Sequence, residues 1–237
     1  MYRVVYLDSV DSTQEEAKRL YRNRELVNGT IIWAKEQSLG KGRHGRKWYS
    51  PKGKGIWFTY AFKTSLRGKE LNLLNLAAAL GVVDALEDLG LKAFLKWPND
   101  VILSDKKVCG VLLEALFEGD NLAFCLLGIG LNLKDIDEVP GSTSLERELG
   151  GSLSEDFVFK KLVDSVVNSI GLVEKEKEVV LSRYRNLCLT LGKEVSFKRN
   201  GTLLKGKAIE LSSDGGLIVD VNGRIEVLYA ELVEDVR

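Results

Sequence analysis

Apolar and polar positions change period several times along the chain. Tyr2 to Leu7 reads as a strand. Asp11-Ser12-Thr13 then offer helix caps with Glu15 and Glu16 at capping-box spacing, and Ala17, Leu20 and Tyr21 share one helical face. Thr30 to Ala34 is a short β-branched strand that leads into a long glycine-rich and basic stretch, Leu39 to Gly55. Ile56 to Phe62 is strongly β-prone, Glu70 to Leu89 carries apolar residues at helical spacing, and Ala93 to Trp97 is again a strand. Val101 to Leu103, the turn Ser104-Asp105-Lys106 and Lys107 to Phe117 predict a hairpin, and Glu118 to Asn121 turn the chain into a further strand, Leu122 to Gly128.

Helical periodicity returns from Glu155 to about Leu189, with Gly171 as the expected break between two helices. Beyond Gly192 only strands follow, separated by Asn200-Gly201, Asp214-Gly215-Gly216 and Asn222-Gly223, which are strong hairpin signals. The pattern predicts an α+β body with a small β-barrel appended: one domain over residues 1–190 and a second over 191–237. The one extended loop inside the body is the basic stretch, and loops of that length are usually functional or mobile.

Composition narrows the chemistry. The chain has 237 residues, 34 Lys+Arg against 34 Asp+Glu, three cysteines and one histidine, His44. A single imidazole excludes metal sites built on two or three histidines and makes any His-based dyad depend on His44. Cys109, Cys125 and Cys188 are scattered without a CxxC pair, so a reducing compartment and buried thiols are expected. The longest apolar run, Leu122 to Leu131, is short of the roughly 18 residues a membrane span needs. The first residues lack the layout of a secretory signal. The expectation is a cytoplasmic protein that binds no membrane.

Zero net charge conceals an uneven distribution. Between Gln37 and Lys69 there is no acid, while nine lysines and arginines occur; acids such as Glu231, Glu234 and Asp235 restore the balance elsewhere. That run suggests a local anion site, although a solvated basic loop is the more common outcome for a charge run taken alone. Gly40-Lys41-Gly42-Arg43-His44-Gly45 matches GxGxxG, yet Pro51, Gly53 and Gly55 follow where a dinucleotide-binding helix would have to begin. The kinase and Walker forms fail as well. The loop can still fold closely around an anion.

Two further motifs stand out. In Lys96-Trp97-Pro98-Asn99-Asp100, proline ends the strand and holds an amide and a carboxylate at its mouth, a set that suits Mg2+, a phosphate or an amine; an ordinary Asx turn is the alternative. Lys107 opens a strand that contains Gly110, and Gly128 and Gly130 interrupt the next. Glycine inside a strand marks a bulge or a close approach of backbone to a ligand. A surface hairpin lysine is the other reading of Lys107.

Taken in order, Ser12-Thr13-Gln14, GKGRHGRKW, and KWPND followed by Lys107 and Gly110 resemble the biotin protein ligases, specifically the monofunctional form without an amino-terminal DNA-binding domain. The family commonly has Arg where Lys41 stands, Asn where Gln14 stands and Ala where Cys109 stands. The resemblance covers nearly the whole chain. It implies a mixed or antiparallel sheet flanked by helices, of the class II aminoacyl-tRNA synthetase type, with a small carboxy-terminal SH3-like barrel.

The resemblance also implies a reaction. Biotin's carboxylate attacks the α-phosphorus of ATP, biotinyl-5′-AMP forms and pyrophosphate leaves; a lysine amine of a biotin carboxyl carrier protein domain then takes the acyl group and AMP departs. Implied biotin contacts are Ser12, Thr13, Gln14, Gln37, Gly40, Lys41, Gly42, Arg43, Lys107, Gly110 and Gly128. Implied ATP contacts are Arg43, Arg46, Trp48, Asn99, Lys107 and Asn132, with Asn99 toward Mg2+. Lys107, Arg43 and Asp100 are the implied catalytic groups, Asp100 toward the acceptor lysine. A homodimer is implied, with DNA not a partner. Cationic stabilisation of a phosphoryl transition state requires no histidine nucleophile. A lipoate or octanoate ligase of related fold is the alternative, and a nucleic-acid module using Trp48 and Tyr49 a more distant one.

Overall fold

A computed structural model describes residues 2–199 and 202–230. The Asn200-Gly201 turn and the acids Glu231, Glu234 and Asp235 lie outside the described residues. The elements, in chain order, are β1 (Arg3–Leu7), α1 (Thr13–Arg22), β2 (Thr30–Ala34), β3 (Gly55–Phe62), α2 (Leu71–Glu87), β4 (Phe94–Lys96), β5 (Asp100–Leu103), β6 (Lys106–Glu118), β7 (Asn121–Asn132), α3 (Leu145–Leu149), α4 (Glu155–Val173), α5 (Lys177–Leu187), β8 (Glu194–Arg199), β9 (Thr202–Leu211), β10 (Leu217–Val221) and β11 (Arg224–Leu228). The class is α+β: a seven-stranded mixed sheet in the order β1-β2-β3-β7-β6-β5-β4, flanked by helices, and a separate four-stranded antiparallel sheet in the order β11-β10-β9-β8. No helix among the described residues is long and apolar enough to cross a membrane.

The chain forms two compact units. The first comprises the residues up to Ser65 and Ile102–Val163; the second comprises Leu66–Val101 and the residues from Asp164 onward. In the first, β1 pairs with β2 in parallel, whereas β2 with β3, β3 with β7 and β6 with β7 are antiparallel. The face of this sheet under α1 is closed by Ala17, Leu26, Ile32, Ala61, Phe124 and Leu126. Period-2 alternation puts Ile32 on that face and sends Trp33 to the other, where it stacks on Phe159 with centroids 3.8 Å apart.

In the second unit α2 is buried almost all round, from Leu73 to Leu86, so its apolar run reads as a core helix rather than an amphipathic one. Asn75 is buried with it and donates its amide to the Pro98 carbonyl at 2.9 Å. The turn between β10 and β11 has Asn222 and Gly223 both at positive φ, +54° and +83°, the conformation a two-residue hairpin requires.

Three expectations are corrected. The capping box at α1 does not form: Ser12 takes the N-cap position, its hydroxyl makes no cap bond, and Glu15 and Glu16 bind cations instead. Gly171 does not break the helix, because α4 continues to Val173 and the chain turns at the polar run Glu174 to Glu176, where no apolar side chain anchors a further turn. The short helix α3 was not foreseen; Ser144 caps it and Gly150, at φ +68°, ends it.

Candidate active site

The first unit holds most of the expected ligand residues, and one group of them meets at the amino end of α1. Ser12, Thr13 and Gln14 are buried there. Gln37 holds Thr13 in place: its Oε1 accepts from the Thr13 backbone N–H at 2.9 Å and from Thr13 Oγ1 at 3.1 Å, while its Nε2 donates to Ser50 Oγ at 2.8 Å. Thr59 Oγ1 of β3 donates to Thr13 Oγ1 at 2.8 Å from beneath. Gln14 Nε2 donates to the carbonyls of Leu112 and Leu126, 3.3 Å from each. Two oxygens of this cluster, Ser12 Oγ and Gln14 Oε1, are buried with no hydrogen-bond partner. Leaving such groups unpaired costs about 1–3 kcal/mol each, so they are suited to receive the polar edge of a ligand.

Below them lies a floor of glycines set by strand register. Gly128 is flanked by Thr59 on β3 and Leu112 on β6; in the next row Gly130 is flanked by Trp57 and Gly110. Side chains from elsewhere occupy the space the missing Cβ atoms release. A Cβ at Gly128 would sit 3.4 Å from the Gln14 amide, and one at Gly130 would sit 2.3 Å from Trp48 Nε1. The Trp48 indole therefore lies against bare backbone, with Lys107 Nζ 5.0 Å from its ring centroid and the Trp57 ring edge-on to it at 6.4 Å. At Gly110 a Cβ would come within 3.3 Å of Lys107 Nζ, which puts this ammonium directly beside the glycine row. Cation, indole and open backbone thus meet within a few ångströms.

The basic stretch is ordered as a small hairpin. Gly42 N–H donates to the Arg46 carbonyl at 2.7 Å, Trp48 N–H to the Gly40 carbonyl at 2.8 Å, and Lys41 bridges Lys47. His44 and Gly45 sit at its tip with φ of +55° and +73°. Gly40 admits no side chain, since a Cβ would stand 2.4 Å from the Trp48 carbonyl oxygen. Arg43 Nη2 lies 3.1 Å from His44 Nε2, Arg46 is exposed, and Lys47 Nζ is 4.4 Å from the centre of the Tyr49 ring. Lys41 Nζ pairs with Glu15 Oε1 at 2.6 Å. Hydrogen bonds first from Lys41 and then from Lys18 hold the Glu15 carboxyl below the usual glutamate range.

Three other expected residues take structural partners or stand elsewhere. Asn132 is buried at the end of β7 and donates its amide to the Thr143 carbonyl at 3.1 Å. Asn99 and Asp100 belong to the second unit, where both are half-buried after a cis Trp97–Pro98 bond. The Trp97 backbone N–H donates to Thr190 Oγ1 at 3.0 Å and its indole to the Gly215 carbonyl at 3.1 Å, which fixes the strand end carrying the amide and carboxylate. Among the described residues no three of His, Cys, Asp or Glu gather in a metal-holding group. Asn99 supplies a single amide, too few donors for a protein-built magnesium site.

Thr59 and Ser50 were not foreseen as site residues, and Gly130, singled out as a strand glycine, was not among the implied ligand contacts. Thr59 had a signal: it is the one aliphatic hydroxyl within Ile56 to Phe62, and alternation puts it on the face of Ala61 that closes against α1.

Comparison with known proteins agrees with this geometry. Residues 6–132 match the model of the biotin/lipoate A/B protein ligase family. The chain superposes on a biotin protein ligase from Aquifex aeolicus, solved with biotin and ATP, with a TM-score of 0.82 and 30% identity, covering 99% of this chain and 98% of that one. It is 29% identical over 213 residues to a biotin–[acetyl-CoA-carboxylase] ligase of Mycobacterium tuberculosis, covering 86% of this chain and 78% of the relative. It is also 27% identical to the bifunctional ligase/repressor BirA of Bacillus subtilis, covering 98% of this chain and 73% of the relative.

Proposed function

Given that the chain belongs to the biotin/lipoate A/B protein ligase family, we propose that it is an ATP-dependent biotin protein ligase. The observation that carries this reading is the pairing of two unsatisfied buried oxygens, Ser12 Oγ and Gln14 Oε1, with a glycine floor that ends at Lys107. A ureido ring has both N–H donors and a carbonyl acceptor, which the Ser12, Thr13 and Gln14 cluster complements, and the thiophane and valeryl chain would lie over Gly110 and Gly128. Gln37 orders the cluster from behind through Thr13.

The chain's cations do the chemistry. Biotin's carboxylate oxygen bonds to the α-phosphorus of ATP as the α–β phosphoanhydride bond breaks, and pyrophosphate carries off the electron pair. Negative charge grows on the α-phosphoryl oxygens in that step. Lys107, held by β6 beside the glycine row, and Arg43, on the hairpin, are assigned to those oxygens, where a fixed cation lowers the barrier. Trp48 offers its face to adenine, Arg46 and Asn132 complete the nucleotide contacts, and ATP arrives with its own Mg2+, toward which the Asn99 amide is assigned. Gly40, Lys41 and Gly42 form the stem of a loop that shields the adenylate from water.

In the second step an acceptor lysine attacks the acyl carbon, an amide bond forms, AMP leaves and the amine loses a proton; Asp100 is assigned to orient that amine. The acceptor is the biotin carboxyl carrier domain of a carboxylase, in the cytoplasm, with the ligase acting as a homodimer. A functional boundary near residue 190 is supported by the change there to a sheet made of β8–β11 alone. The test is pyrophosphate release with ATP and Mg2+ in the presence of biotin, lipoate or neither. Release that depends on biotin is expected; release that depends on lipoate would move the chain to the other branch of the family.

A further inference from the structure

We propose that Glu15 is a positioning residue for the ligation reaction, seating the Gly40–Trp48 hairpin by binding Lys41. This rests on the ligase reading, in which that hairpin covers the adenylate. Glu15 follows directly on the Ser12-Thr13-Gln14 cluster, in the first turn of α1. Thr13 and Gln14 turn toward Thr59 and the carbonyls of β6 and β7, whereas Glu15 Oε1 accepts from Lys41 Nζ at 2.6 Å and from Lys18 Nζ at 2.9 Å. Lys18 in turn reaches Glu114 of β6 at 3.1 Å. A line of alternating charges therefore runs from the sheet, through α1, to the stem of the hairpin.

The hairpin's own backbone bonds close on themselves, and its two ends are seated by the Leu39 N–H on the Asp11 carbonyl at 2.8 Å and by the Trp48 ring on Gly130, while the Lys41–Glu15 pair ties the stem to α1. Gly42 pairs with Arg46 and Gly40 with Trp48, so these bonds hold its shape and contribute nothing to its seat on the body. Lys41 sits on the stem next to Gly40, the position where no Cβ fits, and its side chain spans the gap to α1. With the Lys41 ammonium engaged by Glu15, its task is to hold Arg43, two residues on, at the ligand. Glu15 touches no assigned substrate group and acts only through Lys41. Both partners are partly exposed, 43% for Lys41 and 26% for Glu15, so the tether is a modest one and is weakened by salt.

The experiment measures two quantities in the full-length chain. One is the rate at which preformed biotinyl-AMP escapes into a chase of unlabelled biotin and ATP. The other is tryptic cleavage after Arg43 and Arg46 with no substrate present. Glu15→Gln is expected to raise both by about threefold at low ionic strength and to match the wild type at about 1 M salt. Lys41→Gln should give the same effect from the loop side, the double variant should do no more than either single one, and the swap Glu15→Lys with Lys41→Glu should restore protection. Equal rates in Glu15→Gln and the wild type, additive effects in the double variant, or an effect reproduced by Lys18→Gln and absent in Lys41→Gln would each overturn the proposal. A wild type that makes no biotinyl-AMP while cleavage still responds to Glu15→Gln would sink the ligase reading and leave the tether standing.

Discussion

Strand β7 of the large sheet and strand β9 of the small one both carry a glycine where a β-branched residue would be expected, and the two glycines serve opposite ends. At Gly130 the missing side chain makes room for the Trp48 indole, a group delivered by a loop about 80 residues earlier. At Gly206 it makes room for Val219 and the Asp220 carbonyl of the neighbouring strand β10, 2.6 and 2.5 Å from where a Cβ would be. The first glycine lets a loop ring lie on the floor of the candidate site; the second lets a small sheet pack on itself. Glycine in a strand therefore signals close approach, and only the identity of what approaches separates chemistry from packing.

The largest effect should come from the cation at the edge of the β7 floor. Lys107→Ala is expected to lower biotin-dependent pyrophosphate release about 100-fold or more with the far-ultraviolet circular dichroism unchanged, the loss typical of one transition-state donor. Release at the wild-type rate would remove Lys107 from the phosphoryl step.

Next comes the direct contrast between the two glycines. Gly130→Ala must push the Trp48 ring off the backbone and should reduce adenylation about tenfold, since small displacements of a positioning group are costly to rate. Gly206→Ala should instead lower stability by about 1–3 kcal/mol, seen in a denaturant melt, and leave the KM for biotin alone. If both variants lose only stability, or both only rate, the distinction fails.

Arg43→Gly should let biotinyl-AMP escape a few-fold faster and label bystander protein, detectable with a streptavidin blot. An adenylate that stays bound in this variant would show that another group retains it.

The smallest effect concerns the acid limb of stability beside the site. Hydrogen bonding to Arg19 lowers the Asp11 carboxyl from 3.8 to about 2. Its folded value lies below its unfolded one, so the pair contributes fully above pH 3.8 and the contribution is lost as the pH falls through about 2. Asp11→Asn should therefore lower the melting temperature slightly at neutrality, with the difference from the wild type shrinking as the pH falls below about 4, so that the acid limb is flatter. An unaltered acid limb would mean the pair does not differ between folded and unfolded chains.

Much of the fold was legible because its signals are local. The Asn222-Gly223 turn, the proline that ends β4 and the apolar run of α2 each act within a few residues, and each element lies where those signals put it. The candidate site was legible only in part. Ser12, Thr13, Gln14 and Gln37 do meet, and Lys107 does stand beside Gly110. Thr59 beneath Thr13, Ser50 behind Gln37 and Trp48 on Gly130 could not be read, because those contacts depend on which strands neighbour one another. Glu15 shows the same limit. Its spacing from Ser12 is that of a capping box, a contact within one turn, yet a lysine 26 residues away takes the carboxylate.

By itself, then, the sequence determined most of the elements, the family resemblance and the residue types available for phosphoryl chemistry, since propensity, turn conformation and charge are properties of short segments. Tertiary structure alone decided which glycine became a floor and which a packing contact, and which cation became a tether. Those outcomes follow from strand order and register, and register is set by the burial of whole faces, which no short segment encodes.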